Sequence, residues 1–147
     1  MNELQSNKST VLLVPQTVTA GATATANLDC KGQGSVEIIV AVGALAGGTN
    51  GDGPKTITIG EGDSTSAFTT ITGLTASSTS LGASQSVRFF VDRKDGSRKR
   101  YLRLTFSPET NDTNDNIPVC AIAYFDRSDA DPASTSGYGS NLVKVPS

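Results

Sequence analysis

Six of the chain's twelve cationic side chains lie between residues 93 and 103: Arg93, Lys94, Arg98, Lys99, Arg100 and Arg103. Such a cluster can hold anions. Arg98, Lys99 and Arg100 could contact phosphates while Tyr101 or Phe90 stacks on a base. The same cations could anchor a protein partner, where arginine is favoured. Or they could be a solvated face whose charge deters aggregation. The formal net charge is −2, which weighs against nucleic acid and against an anionic membrane surface. The candidate partner interface is therefore Arg88, Arg98, Lys99, Arg100, Tyr101 and Arg103.

Other chemistries find little to work with. The chain has no histidine, no tryptophan, one methionine and two cysteines, so the usual acid–base groups and soft metal ligands are nearly absent. A serine or cysteine nucleophile would need lysine as its base, and no Ser-x-x-Lys arrangement surrounds Lys31 or Lys55. Apart from Glu37, the carboxylates sit in or beside polar loops and termini, without an aromatic platform for a sugar. Asn111–Asn116 with Asp126, Asp129 and Asp131 is rich in oxygen ligands. It lacks the glycine and closing glutamate of a calcium loop. The expectation is a protein that is not an enzyme and has no catalytic residues, metal or cofactor.

The elements that would carry the cations are strands. Serine and threonine number 35 and glycine 15, no 3.6-residue period persists, and turn residues recur every ten to twenty positions. Asp95-Gly96 between two alternating apolar runs predicts a tight hairpin over Ser86–Phe106. In that register Arg88 faces Arg103, a like-charge pair that calls for a carboxylate from this chain or a partner. Val11–Val14 reads as a short strand stopped by Pro15. Thr17–Leu28 reads as extended chain broken at Gly21, and Ser35–Val42 as a buried strand with Val36, Ile38, Val40 and Val42 on one side. Lys55–Ile59 and Phe68–Ile71 are further strands separated by a turn at Gly60–Asp63, and Val119–Phe125 is the last. Residues 43–54, 73–84 and 108–116 read as loops. The fold class is all-β, an antiparallel sandwich or jelly-roll-like barrel with extended terminal arms. The domain layout is an N-terminal arm over 1–10, a single β domain over 11–125 and a C-terminal arm over 126–147. Cys30 and Cys120 read as two small buried thiols, although paired strands could bring them together. No signal peptide and no run long enough to span a bilayer are expected, which suits a soluble product of a cytoplasm.

The order of several segments resembles a family of small tailed-phage virion proteins. In that family "Leu-Asp-x-x-Gly-x-x-Ser-Val" leads into an apolar strand ending "Val-Gly-Ala", here Leu28–Val36 and Val42–Ala44. A "Glu-x-Asp" turn precedes an aromatic-containing strand, here Glu61–Asp63 and Phe68. A "Lys-Arg-Tyr-Leu-Arg" strand follows, here Lys99–Arg103. The similarity covers about residues 25–125. The resemblance implies a capsid decoration (cement) protein on the outer surface of a bacteriophage head, made in the host cytoplasm. Its partner would be the major capsid protein, and it would act as a homo-oligomer, a trimer at a local three-fold position. Arms that order on contact could cover large surfaces. The charged Arg93–Arg98 turn and the long tail after Phe125 depart from the family. A tail- or fibre-associated structural or receptor-binding module is therefore the alternative.

Overall fold

The computed structural model describes residues 8–19, 21–43, 56–77, 85–93, 96–108, 116–126 and 142–144. They form nine strands: β1 (Lys8–Thr19), β2 (Ala24–Asp29), β3 (Ser35–Val42), β4 (Thr56–Gly62), β5 (Thr69–Ser77), β6 (Ser86–Asp92), β7 (Tyr101–Ser107), β8 (Asn116–Asp126) and β9 (Leu142–Lys144). One sheet has the order β1-β8-β3-β6-β9 and the other β2-β7-β4-β5. All pairings are antiparallel except the short β9, which runs parallel to β6. The two sheets pack face to face as a β-sandwich, and no described residue is helical.

Period-two alternation explains the core. Val36, Ile38, Val40 and Val42 of β3 meet Val87, Phe89 and Val91 of β6 and Ile117, Val119, Ala121, Ala123 and Phe125 of β8 on the inner face of the first sheet. Leu102, Leu104 and Phe106 of β7, with Ile57 and Ile59 of β4, line the inner face of the second. Phe89 and Phe106 are fully buried. Each large apolar side chain removed from water in this way contributes about 1.5–3 kcal/mol.

Three expectations are corrected by the strands. Pro15 does not stop β1, which runs to Thr19 with register shifts between Val11 and Leu13 and between Leu13 and Gln16. β1 is an edge strand, where a missing N–H costs no ladder bond. Gly60–Gly62 and Gly73–Ser77, expected in a turn and a loop, belong to β4 and β5. The largest correction is the hairpin. β6 pairs with β3 and β9, whereas β7 pairs with β2 and β4, so the two runs lie in opposite sheets. The intervening chain is a crossover. Gly96 takes φ +72 and its N–H donates to the Arg93 carbonyl at 3.2 Å, a left-handed turn that glycine accepts without strain.

Strand β1 begins at Lys8, within the arm expected over 1–10, and β9 falls within the arm expected over 126–147. Residues 1–7, 127–141 and 145–147, most of the 43–54 and 108–116 loops, and Asp129 and Asp131 lie outside the described residues.

Candidate partner interface

Two crossovers meet at one end of the sandwich. Residues 30–34 carry the chain from β2 to β3, and Arg93 with residues 96–100 belongs to the return from β6 to β7, of which Lys94 and Asp95 lie outside the described residues. Arg93 ties them together. Its Nη1 donates to the Cys30 carbonyl and, at 3.0 Å, to the Gln33 carbonyl, while its Nη2 donates to the Lys99 carbonyl at 3.0 Å. The Cys30 N–H in turn donates to the Arg100 carbonyl at 3.0 Å. A planar guanidinium is suited to such a task because its donors leave in fixed directions.

Around this brace each candidate cation meets a group from elsewhere in its own chain. Arg100 grips Asp29 with two parallel bonds, Nε to Oδ1 at 2.9 Å and Nη2 to Oδ2 at 2.6 Å, and its guanidinium also lies 4.7 Å from the Tyr101 ring centroid. Arg98 bonds Glu61 at 3.2 Å, and the same carboxylate accepts the Lys99 N–H at 3.2 Å. The Lys99 ammonium donates to Asp63 at 2.9 Å. Arg103 donates to the Asn27 side chain at 2.9 Å and the Thr65 carbonyl at 3.1 Å, and stacks 4.0 Å over Phe68. These residues occupy β2, the end of β4, β7, the 63–68 turn and the crossover, so they form one charged end of the second sheet.

Arg88 is not among them. It lies on the outer face of the first sheet and pairs with Glu37 at 3.1 Å. Arg88 and Arg103 therefore do not face each other, and the expected like-charge pair does not form: Arg88 meets the Glu37 carboxylate of β3, and Arg103 meets the Asn27 side chain and the Thr65 carbonyl. Sequence reasoning did not single out Arg93, whose role depends on two crossovers meeting. Nor did it match Asp29, Glu61 and Asp63 with their cations, although it noted the turn that holds two of them.

The electrostatics follow from these contacts. The hydrogen bonds from Arg100, aided by the Lys31 N–H at 3.0 Å, hold the Asp29 carboxyl at about 2, below the usual 3.8. Asp63 raises Lys99, chiefly through its hydrogen bond, and Asp29 raises Arg100 in the same manner. A carboxyl whose folded value is depressed stabilises the fold above its unfolded value and loses that contribution as pH falls through the folded one. The urea midpoint of the wild type should thus exceed that of Asp29→Asn above pH 4. The gap should close between about pH 4 and pH 2. A gap independent of pH would rule out the ionised pair as its origin.

Burial pushes the Cys30 thiol up to about 11, which leaves it unreactive. Cys120 on β8 is half-buried, and both cysteines are free. Among the described residues no group of three or more histidine, cysteine, aspartate or glutamate side chains could hold a metal ion. No described helix is long and apolar enough to cross a membrane. No protein-family model matches the chain, and no curated protein matches its sequence.

Proposed function

We propose that this chain is a capsid decoration protein, a structural module that binds the outer surface of a bacteriophage head and stabilises the shell through oligomeric contacts with the major capsid protein. The observation that carries the reading is the convergence of the segments that resemble small virion proteins. Asp29 and Cys30 from the first, Glu61 and Asp63 from the second, and Lys99 to Arg103 from the third are far apart in sequence and meet at one braced end of the sandwich. A rigid end that presents Asp29, Asp63, Lys99 and Arg100 to solvent suits a polar contact with a shell. Charge complementarity there fixes orientation more than affinity. Repetition by symmetry turns many modest contacts into durable binding.

Antibody-gold labelling of intact particles tests the location. Gold spread over the head is expected, and gold confined to the tail would transfer the protein to the tail-associated alternative. The surface is tested with Lys99→Ala/Arg100→Ala. Exposed ion pairs contribute modestly to folding, so the double variant should stay folded, with a fall in urea midpoint on the small scale expected for Asp29→Asn, while its occupancy on particles falls severalfold. Unchanged occupancy would remove this end of the sandwich from the contact.

A further inference from the structure

Strand β9 is the exception in this fold. It is three residues long, and it runs parallel to its neighbour where every other described pair is antiparallel. Its register sets Leu142 beside Arg88, Val143 beside Phe89 and Lys144 beside Phe90. It also touches β5, the edge strand of the second sheet. Strand β9 therefore closes the side of the sandwich between β6 and β5, whose Phe89, Leu74 and Ala76 belong to the core. Without a strand in this seat, the outer row of β6 backbone groups stands open beside the fully buried Phe89.

The chain reaches this seat with length to spare. Strands β8 and β6 both run antiparallel to β3, so β8 and β9 point the same way. Asp126 at the end of β8 shares a row with Ser35 and Asp92, while Leu142 starts four residues back along β6, at Arg88. Three strand spacings across and four residues back make a span of about 20 Å. Residues 127–141 separate the two strands, and a segment of that length reaches about 50 Å when extended. The link is more than twice as long as its own molecule requires.

We propose that β9 is an exchangeable strand: residues 142–144 of one copy seat on β6 of a second copy, in the register they take on their own. The seat itself names its occupant, because the strand that fits it, its direction and its register are all present in the closed chain. Exchange keeps those backbone contacts and needs no new interface, so swapping an identical element is an easy route to assembly. Three residues paired in parallel at a chain end hold weakly. What favours the closed form is the effective concentration that a linker imposes, on the order of 1 mM. Copies crowded to that level, or held side by side, therefore compete for one another's strands. The exchange closes as a ring of two or of three copies.

This inference goes beyond the decoration reading and is tested on full chains without any shell. One chain carries Arg88→Cys and another Leu142→Cys, both with Cys120→Ser. Arg88→Cys gives up one half-exposed ion pair with Glu37 and should stay folded. Cys30 is fully buried and stays unreactive. Neighbouring strands lie about 4.8 Å apart, a distance a disulfide spans. Mixed at about 1 mM, the level at which strands compete, and mildly oxidised, the two chains should give a reducible dimer containing one of each. Dilution before mixing should lower its yield severalfold. A single chain carrying both Arg88→Cys and Leu142→Cys should instead close an internal disulfide in dilute solution. Arg88→Cys mixed with Lys144→Cys is two residues out of register, with Cα atoms about 8 Å apart, too far for a disulfide, and should give little mixed dimer. Three results would overturn the proposal: no mixed dimer at either concentration, an equal yield from the out-of-register pair, or no internal disulfide in the doubly substituted chain. Head labelling retained alongside any of them would leave the decoration reading standing.

Discussion

Replacing Arg93 with alanine should destabilise the protein by about 2–4 kcal/mol, the largest loss expected from any polar side chain described above. The guanidinium serves three main-chain carbonyls, those of Cys30, Gln33 and Lys99. Cys30 is fully buried, so water cannot readily replace the donor. A carbonyl left without a partner inside the protein costs more than the bond itself contributed. The fall in melting temperature for a chain of this size is roughly 6–12 °C. Arg93→Lys should recover only part of the loss, because an ammonium does not reproduce the planar fork. Chemical denaturation of the three proteins checks this. A change below about 0.5 kcal/mol for Arg93→Ala, the usual scale of a surface substitution, would show that the crossovers hold each other without the brace.

Gly62→Ala should be comparably damaging, at about 3 kcal/mol, for a purely steric reason. A Cβ at this position would stand 2.1 Å from the Ala67 carbonyl oxygen and 3.1 Å from that of Ser64. Both obstacles are main chain, so no rotamer change relieves them. The turn must reopen, and it carries Asp63, Thr65 and Phe68, which hold Lys99 and Arg103. Amide exchange should accelerate across 63–68 and at the start of β7. Gly96→Ala provides the contrast. Nothing lies within 4 Å of its Cβ, and only the φ of +72 opposes the substitution, a cost of about 1–2 kcal/mol. If both variants lose the same stability, the close approach at Gly62 is not what demands glycine there.

Much of the fold was legible because alternation reports directly on the buried face. Ser35–Val42 is β3, with Val36, Ile38, Val40 and Val42 buried as the pattern predicts. Alternation does not say which strand lies alongside. Val87, Phe89 and Val91 face the same core as Leu102, Leu104 and Phe106, but from the opposite sheet. A hairpin and an inter-sheet arch write the same apolar pattern, and Asp95-Gly96 tipped the reading toward the hairpin. Gly73–Ser77 was missed because threonine and glycine mask the buried pair Leu74 and Ala76. In the candidate interface the cations were visible and their partners were not. Lys99 reaches 36 residues back to Asp63, and Arg100 reaches 71 residues back to Asp29. No local rule links positions so far apart. Arg93 was anonymous for the same reason, since its three acceptors are main-chain atoms that any residue could supply.

The alternation of the chain between sheets also sets a timetable. From β1 to β8 every connection changes sheet except that between β4 and β5. Contacts of such long sequence separation slow folding, since loop entropy must be overcome before pairing rewards it. Strand β8 lies between β1 and β3, and Lys8 pairs with Phe125. On a ribosome adding about 5–20 residues per second, β1 therefore waits on the order of ten seconds for the neighbour that completes its inner side. Through that interval the inner edge of β3 is open as well, so the emerging chain presents two unsatisfied strands. The edge strand β1 of the first sheet is thus the one that waits longest for its neighbour within its own molecule.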